Sequence, residues 1–302
     1  MSAPVKIGVL QMTSGIDPGA NFDTIRDAAY RAWQEGAEML FTPEMSLLLD
    51  RDRKRAAANI PKYEVKPYVT RLFDIDGTLI SAQTVEQEVN PYVAMLCNVA
   101  EEQRLDLCLG SMAVSKPDGR LANRSMYFPS SGEDPFIYDK IHMFDVDLAS
   151  GESWRESKAY APGEDVVVVE NTPIGRLGLT VCYDIRFPAL FEELGRLRCD
   201  AIAIPAAFTV PTGKAHWHLL QRARAVEASA WVIAAAQTGR HADGRETYGH
   251  SLVVDPWGEI VLDMGREPGV GFATIDPART AEVRAQLPSL ANRREIPRST
   301  GT

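Results

Sequence analysis

The stretch Leu177-Gly-Leu-Thr-Val-Cys-Tyr-Asp-Ile-Arg-Phe-Pro188 does most to restrict what this chain can become. Its first half alternates apolar and small residues, the pattern of a buried strand. After Cys182 the chain turns at once, and Ala189-Leu-Phe-Glu-Glu-Leu-Gly-Arg-Leu197 takes up helical spacing. A strand that runs straight into a helix belongs to an α/β sheet, whose strand carboxyl ends display reactive side chains. Cys182 stands at such an end. It is either a nucleophile or a small apolar residue, since free cysteine is among the most buried residue types. A base, a cation and an oxyanion site elsewhere in the chain decide between the two.

The remaining sequence supplies a frame for that sheet. Residues 5–12 read as a first strand, and Asn21 can cap a helix running to about 36, with Ile25, Ala28, Ala29, Ala32 and Trp33 on one face. Residues 37–43 form a second strand that delivers Glu44 at its end. This βαβ unit implies a right-handed crossover and helices packed on the sheet. A helix at 91–103 and a strand at 105–114 follow, then a hairpin over 125–128 and 135–138 whose exit carries Lys140. The second half repeats the plan, with strands at 166–170, 176–182, 201–207 and 231–237 and helices at 190–198 and 215–229. A hairpin at 251–263, a strand at 271–275 and a short helix at 276–286 close the chain. No linker or shift of composition divides it, so residues 1–302 are expected to form a single domain of two similar αβ halves.

Composition excludes several classes. A chain of 302 residues, 45% hydrophobic and 24% charged, can bury a large core. Its formal charge of -9 argues against a general nucleic-acid or anionic-membrane surface. The cysteines Cys97, Cys108, Cys182 and Cys199 show no Cys-x-x-Cys pairing. The start, Met-Ser-Ala-Pro-Val-Lys, lacks a signal-peptide core, and no apolar run approaches membrane-spanning length. A cytoplasmic protein with reduced thiols is expected.

Glu44, Lys140 and Cys182 each stand at a strand or hairpin end. A thiol, with an ordinary pKa of about 8.5, needs a base or a nearby cation to become a nucleophile. A carboxylate can take the proton, an ammonium can hold the developing oxyanion, and the backbone N–H of Tyr183 is a second donor in reach. Each residue alone is weak: a glutamate after a strand is usually solvated and a loop lysine usually idle.

Together these motifs resemble the carbon–nitrogen hydrolase (nitrilase) superfamily. Its Glu–Lys–Cys constellation matches Phe-Thr-Pro-Glu44-Met, Tyr-Asp-Lys140-Ile-His-Met-Phe-Asp and Leu-Thr-Val-Cys182-Tyr-Asp-Ile-Arg-Phe-Pro. A second glutamate typical of the family corresponds to Glu156, with Glu152 as the nearby competitor. The resemblance implies a four-layer α-β-β-α sandwich and hydrolysis of a small terminal carboxamide to carboxylate and ammonia through a cysteine thioester. Glu44 is then the general base, Lys140 and the Tyr183 N–H hold the oxyanion, and Glu156 orients Lys140. No metal or organic cofactor is implied. The stretches Ala-Ala-Gln237-Thr-Gly-Arg-His241 and Gly-Arg-Glu-Thr-Tyr-Gly-His250 look most like Nit-type deaminated-glutathione amidases. Such an acidic substrate calls for cations, and Arg186 and Arg240 are the candidates, Arg240 being equally suited to a structural ion pair. An ω-amidase acting on α-ketoglutaramate and an N-carbamoyl hydrolase remain alternatives, as does an idle interaction module. Relatives imply a homodimer or larger homo-oligomer, a small-molecule amide as the partner, and neither nucleic acid nor membrane.

Other motifs carry less. His216-Trp-His218 suggests a metal, but residues two apart on a helix do not share a face. Asp145 and Asp147 are two acids without further ligands. Phe-Asp74-Ile-Asp76-Gly-Thr78 resembles the first motif of haloacid-dehalogenase-type phosphotransferases, but the downstream lysine and acidic pair of that family have no match in fitting context. The stretch at about 61–88 is therefore read as an insertion, with a phosphatase as the alternative from a different class.

Overall fold

The structure is a computed structural model that describes residues 3–60, 64–73, 79–147 and 153–295, with backbone alone for 64–73 and 79–89. Asp74, Asp76 and Glu152 lie outside the described residues.

The first strand, β1 (Val5–Gln11), shows how alternation becomes layers. Val5, Ile7 and Val9 sink into one apolar cluster and Leu10 into another. On the Leu10 side, a Cβ placed on Gly8 would lie 3.2 Å from the Ala32 methyl, so helix α1 (Pro18–Gln34) rests directly on the strand. In β2 (Met39–Phe41), Met39 and Phe41 share the first cluster and Leu40 the second. Then come α2 (Arg53–Asn59), the antiparallel ribbon β3 (Glu64–Phe73) and β4 (Leu79–Val89), and α3 (Pro91–Gln103). Strands β5 (Asp106–Ser115), β6 (Leu121–Phe128) and β7 (Phe136–Asp139) complete the first sheet, and β8 (Asp145–Asp147) pairs with β9 (Ser153–Arg155) beyond it.

The second half runs β10 (Val168–Thr172), β11 (Gly175–Leu179), α4 (Pro188–Arg196), β12 (Ala201–Ala203), α5 (Val210–Ala228) and β13 (Trp231–Ala234). The pair β14 (Thr238–Arg240) and β15 (Glu246–Tyr248) precedes β16 (Leu252–Val254) and β17 (Ile260–Asp263). Last come β18 (Gly269–Ile275), which returns to β1, and α6 (Pro277–Gln286).

Two six-stranded sheets result, ordered β18-β1-β2-β5-β6-β7 and β10-β11-β12-β13-β16-β17. Each has an antiparallel edge, three parallel strands and two further antiparallel ones. The core clusters define the layers. One joins the facing sides of both sheets, with Ile7, Phe41, Leu177, Ala203 and Ile233. A second holds α1 and α3 against the first sheet, through Ile25, Leu96 and Leu107. The third holds α4 and α5 against the second sheet, through Phe191, Trp217 and Val232. The order is α-β-β-α, as the sequence resemblance implied. Parallel strands buried on both faces explain the nearly unbroken apolar runs, each fully buried Leu, Ile or Val contributing roughly 1.5–3 kcal/mol.

Four details differ from the sequence reading. Asp17, not Asn21, caps α1 by accepting from the Gly19 and Ala20 amides. Asn21 is buried and instead bridges Gly15 and Leu47. Trp33 is 48% exposed, because the helix's inward stripe closes with Ala28, Ala29 and Ala32. Helix α5 begins at Val210, with a proline in its first turn where the missing N–H costs nothing. Strand β11 stops at Leu179, so Cys182 lies in the turn beyond it.

Candidate active site

The turn that carries Cys182 is a short 3-10 helix, Cys182–Arg186. Cys182 itself has φ of 50°, in the left-handed region that a side chain enters at a cost of order 1–3 kcal/mol. The surroundings hold it there. Its N–H donates to the Pro205 carbonyl at 2.8 Å, and the Val181 N–H donates to Asp184 Oδ2 at 2.9 Å. Asp184 is fully buried and also accepts from the Tyr138 hydroxyl at 2.7 Å. Its other oxygen accepts from the His142 N–H at 3.0 Å and lies 2.8 Å from His142 Nδ1. One carboxylate thus fastens the cysteine turn to the chain just past Lys140. Charge on Asp184 adds to burial in pushing the Tyr138 phenol far above its ordinary range, so the hydroxyl remains a donor.

Glu44 follows β2, and Met45 beside it also has a left-handed φ, 54°. The loop approaches β5 so closely that a Cβ on Gly110 would overlap the Thr42 and Pro43 backbone. Gly163 does the same for Lys140, where a Cβ would strike the Asp139 carbonyl. Both approaches require glycine.

Lys140 is buried between two acids. Its Nζ donates to Glu44 Oε1 at 3.3 Å and to Glu156 Oε1 and Oε2 at 3.1 and 2.8 Å. The Asn123 amide donates to both glutamates, at 2.9 Å to Glu44 and 3.2 Å to Glu156. The Phe144 and Ala207 N–H groups complete the set, donating to Glu156 Oε2 at 2.7 Å and Glu44 Oε2 at 3.0 Å. Such donors make a buried charge cluster tolerable, since its ions have lost their water. Burial works against the Lys140 ammonium, but Glu156 and then Glu44 outweigh it and hold its pKa well above the ordinary 10.5.

Burial, and after it the charge on Glu44, pushes the Cys182 thiol well above its ordinary range, against the opposing pull of Lys140 and the Ala207 N–H. At rest Cys182 is therefore a thiol beside Glu44. Moving its proton to Glu44 leaves the charge of the cluster unchanged, so the step needs no water to stabilise a new charge. A group whose pKa rises on folding costs stability as pH climbs past its unfolded value. Folding stability should thus fall above pH 9.0 and fall less in Cys182→Ala. Ultraviolet thiolate absorbance, taken as the difference between the two proteins, should be absent at neutral pH; a Cys182 thiolate signal there would contradict this resting state.

These side chains line a cavity of about 760 Å³, within the range of small-molecule sites. Glu44, Lys140, Glu156, Cys182, Tyr183 and Arg186 all reach it. Tyr183 lies in the first turn of the 3-10 helix, where N–H groups lack intrahelical partners, and its ring packs edge-on against Phe144 and Phe187. Arg186 lies over the Tyr183 and Phe208 rings, 3.4 Å from His216 Nδ1. Arg240 is exposed on β14 and is not among the residues that line the cavity. His216 and His218 diverge as their spacing required, His216 to Arg186 and His218 to Asp263. Rather than standing free in solvent, His218 is a third exposed and paired.

Sequence reasoning missed Asn123, Asp184 and Gln237. Asn123 is a buried polar residue of β6, but Arg124 and Ser125 follow it in the same strand, so no local signal singled it out. Gln237, fully buried, donates to the Glu44 carbonyl at 2.9 Å and to Ser14 Oγ at 2.6 Å.

A partly buried thiol, a carboxylate and an ammonium meet around one cavity, on paired sheets inside four layers. The chain belongs to the carbon-nitrogen hydrolase family, whose profile matches residues 6–285. It is similar to a deaminated glutathione amidase of Synechocystis sp. (strain PCC 6803 / GT-S), 43% identical over 58% of this chain and 65% of that protein. The deaminated glutathione amidase of Homo sapiens is 34% identical over 95% of this chain and 82% of its own length. Among solved structures, the C. elegans NitFhit protein superposes with a TM-score of 0.81 at 32% identity, covering 97% of this chain and 66% of that one. The matched region thus spans just under two thirds of the Synechocystis relative.

Proposed function

We propose that the chain is an amidase that splits a small anionic amide through a thioester on Cys182, with deaminated glutathione as its substrate. The observation that carries this reading is the shared cavity of Cys182, Glu44 and Lys140, in which a thiol, a carboxylate and an ammonium are already gathered. Cys182 Sγ attacks the carbonyl carbon as its proton passes to Glu44. The oxyanion is held by the Lys140 ammonium and the Tyr183 N–H. When the tetrahedral intermediate collapses, the C–N bond breaks and Glu44 returns the proton to the departing nitrogen. Glu44 then takes a proton from water, which attacks the thioester and frees Cys182 with the carboxylate product. Glu156 and Asn123 keep Lys140 and Glu44 in position. A primary carboxamide releases ammonia by this route, whereas the peptide-type amide of a glutathione derivative releases an amine.

The cavity wall supports an anionic substrate. Arg51, Arg53 and Arg186 all line it, and among the described residues none of them pairs with a carboxylate. Arg51 lies over Trp154, with Arg245 also within reach of that indole. Arg186→Ala should raise KM roughly tenfold or more for a carboxylate-bearing amide, with a much smaller change in kcat. An equal effect on a neutral amide would remove Arg186 from substrate binding.

Product analysis by mass spectrometry across deaminated glutathione, α-ketoglutaramate and N-carbamoyl amino acids tests the substrate. The highest kcat/KM is expected for deaminated glutathione; preference for either rival would replace it. A cytoplasmic location is part of the proposal, in keeping with four free cysteines. No described helix is long and apolar enough to cross a membrane. We also propose a homodimer or larger homo-oligomer. Its support is the apolar strip of Leu219 and Val226 on α5 beside Trp257, which are 67%, 44% and 43% exposed. Light scattering during size-exclusion chromatography reads it directly.

A further inference from the structure

Outside the cavity, three side chains from three separate elements aim their ligand atoms at one point. His218 comes from α5, His250 from the turn between β15 and β16, and Asp263 from the end of β17. Their ligand atoms all lie within 4.8 Å of one another. His218 Nε2 is 3.0 Å from Asp263 Oδ2, and His250 Nδ1 is 2.9 and 3.2 Å from Asp263 Oδ1 and Oδ2. None of the three lines the cavity.

A simple ion pair would need one imidazole. Here two converge on a single carboxylate, and the second is held at some cost. His250 has φ of 55° and follows Gly249 at 73°, so a side-chain-bearing residue occupies a left-handed position. Its carbonyl accepts from the Trp217 indole at 2.6 Å, and its ring stacks on Tyr248 with centroids 4.5 Å apart. These contacts set the direction of Nδ1. Two imidazoles and a carboxylate form a donor set suited to a divalent first-row ion. With bonds of about 2.0–2.1 Å, neighbouring ligand atoms of a tetrahedral zinc stand roughly 3.3 Å apart. The observed nitrogen–oxygen separations need to open by only a few tenths of an ångström. The side chains are 33%, 22% and 34% exposed, which leaves an entry path and room for water as a fourth ligand.

We propose that His218, His250 and Asp263 form a zinc-type metal site that ties α5 to β17. It lies beside β15, whose Thr247 faces the cavity, so a bound ion would brace that wall from behind.

The test is titration of the chelator-stripped protein with zinc alone by calorimetry, and with cobalt(II) by visible absorption. One saturable equivalent is expected, with a cobalt spectrum free of thiolate charge-transfer bands. Affinity should fall at least tenfold, about the lower bound for losing a metal's supporting group, in both His218→Ala and Asp263→Asn. Circular dichroism identifies which variants stay folded, and either one suffices for the comparison. Absence of saturable binding, a thiolate-type spectrum, or undiminished affinity in a folded variant would overturn the site.

Discussion

Cys182→Ala should lower amide turnover on the order of 10⁴-fold or more while leaving the fold intact. Alanine loses only a sulfur from a turn that other groups hold. The Cys182 N–H still reaches Pro205, and Asp184 still binds Val181, Tyr138 and His142. Glu44, Lys140 and Asn123 also keep their mutual contacts. The variant should therefore bind substrate with little change, since the cationic wall is untouched. With no thiol to ionise on unfolding, the variant's stability should also fall less at alkaline pH than that of the wild type. The other cysteines offer no substitute. Burial pushes Cys108 and Cys199 up to about 12, and Cys97, which does not line the cavity, is raised by burial and then by Glu101.

Lys140→Met should be nearly as damaging to rate and more damaging to the fold. Without the ammonium, Glu44 and Glu156 face each other with only amide donors from Asn123, Phe144 and Ala207. Two buried carboxylates so placed cannot both stay ionised at ordinary cost, so one takes up a proton. If Glu44 takes it, the base is lost; in either case the oxyanion loses its charged partner. Those two losses, each of order 10²–10³-fold, make a drop in kcat of about 10⁴-fold reasonable. Breaking a buried ion cluster on one side also costs about 3–5 kcal/mol. Urea unfolding and steady-state kinetics read the two effects separately. A stable, active Lys140→Met would mean that the ammonium is not the charge the site depends on.

Much of this was legible in the sequence because catalytic side chains in such sheets sit at strand ends, and strand ends show in the pattern. Glu44, Lys140 and Cys182 each follow an apolar run that stops at a turn, and the structure brings all three to one cavity. The layers were equally readable, since Met39, Leu40 and Phe41 are apolar in succession and serve two faces. What escaped were partners chosen by distance in space. Asn123 and Gln237 matter because strands far apart in sequence meet beside Glu44, with Gln237 lying 193 positions away. Asp184 is two residues from the cysteine, but its role depends on Tyr138 and His142, which nothing local reveals. Arg240 stood in a suggestive motif, yet β14 turns it outward, while Arg51 and Arg53 reach the cavity from a stretch with no catalytic motif. Helix ends were misplaced where two cap residues competed, as with Asp17 and Asn21.

The central claim is a covalent thioester on Cys182. Rapid quenching of the enzyme with deaminated glutathione, followed by intact mass and peptide mapping, measures it most directly. The expected result is a transient gain equal to the acyl portion of the substrate, confined to the peptide carrying Cys182 and absent from Cys182→Ala. Turnover with no such adduct on a quench timescale shorter than one catalytic cycle, together with activity retained in Cys182→Ala, would contradict it.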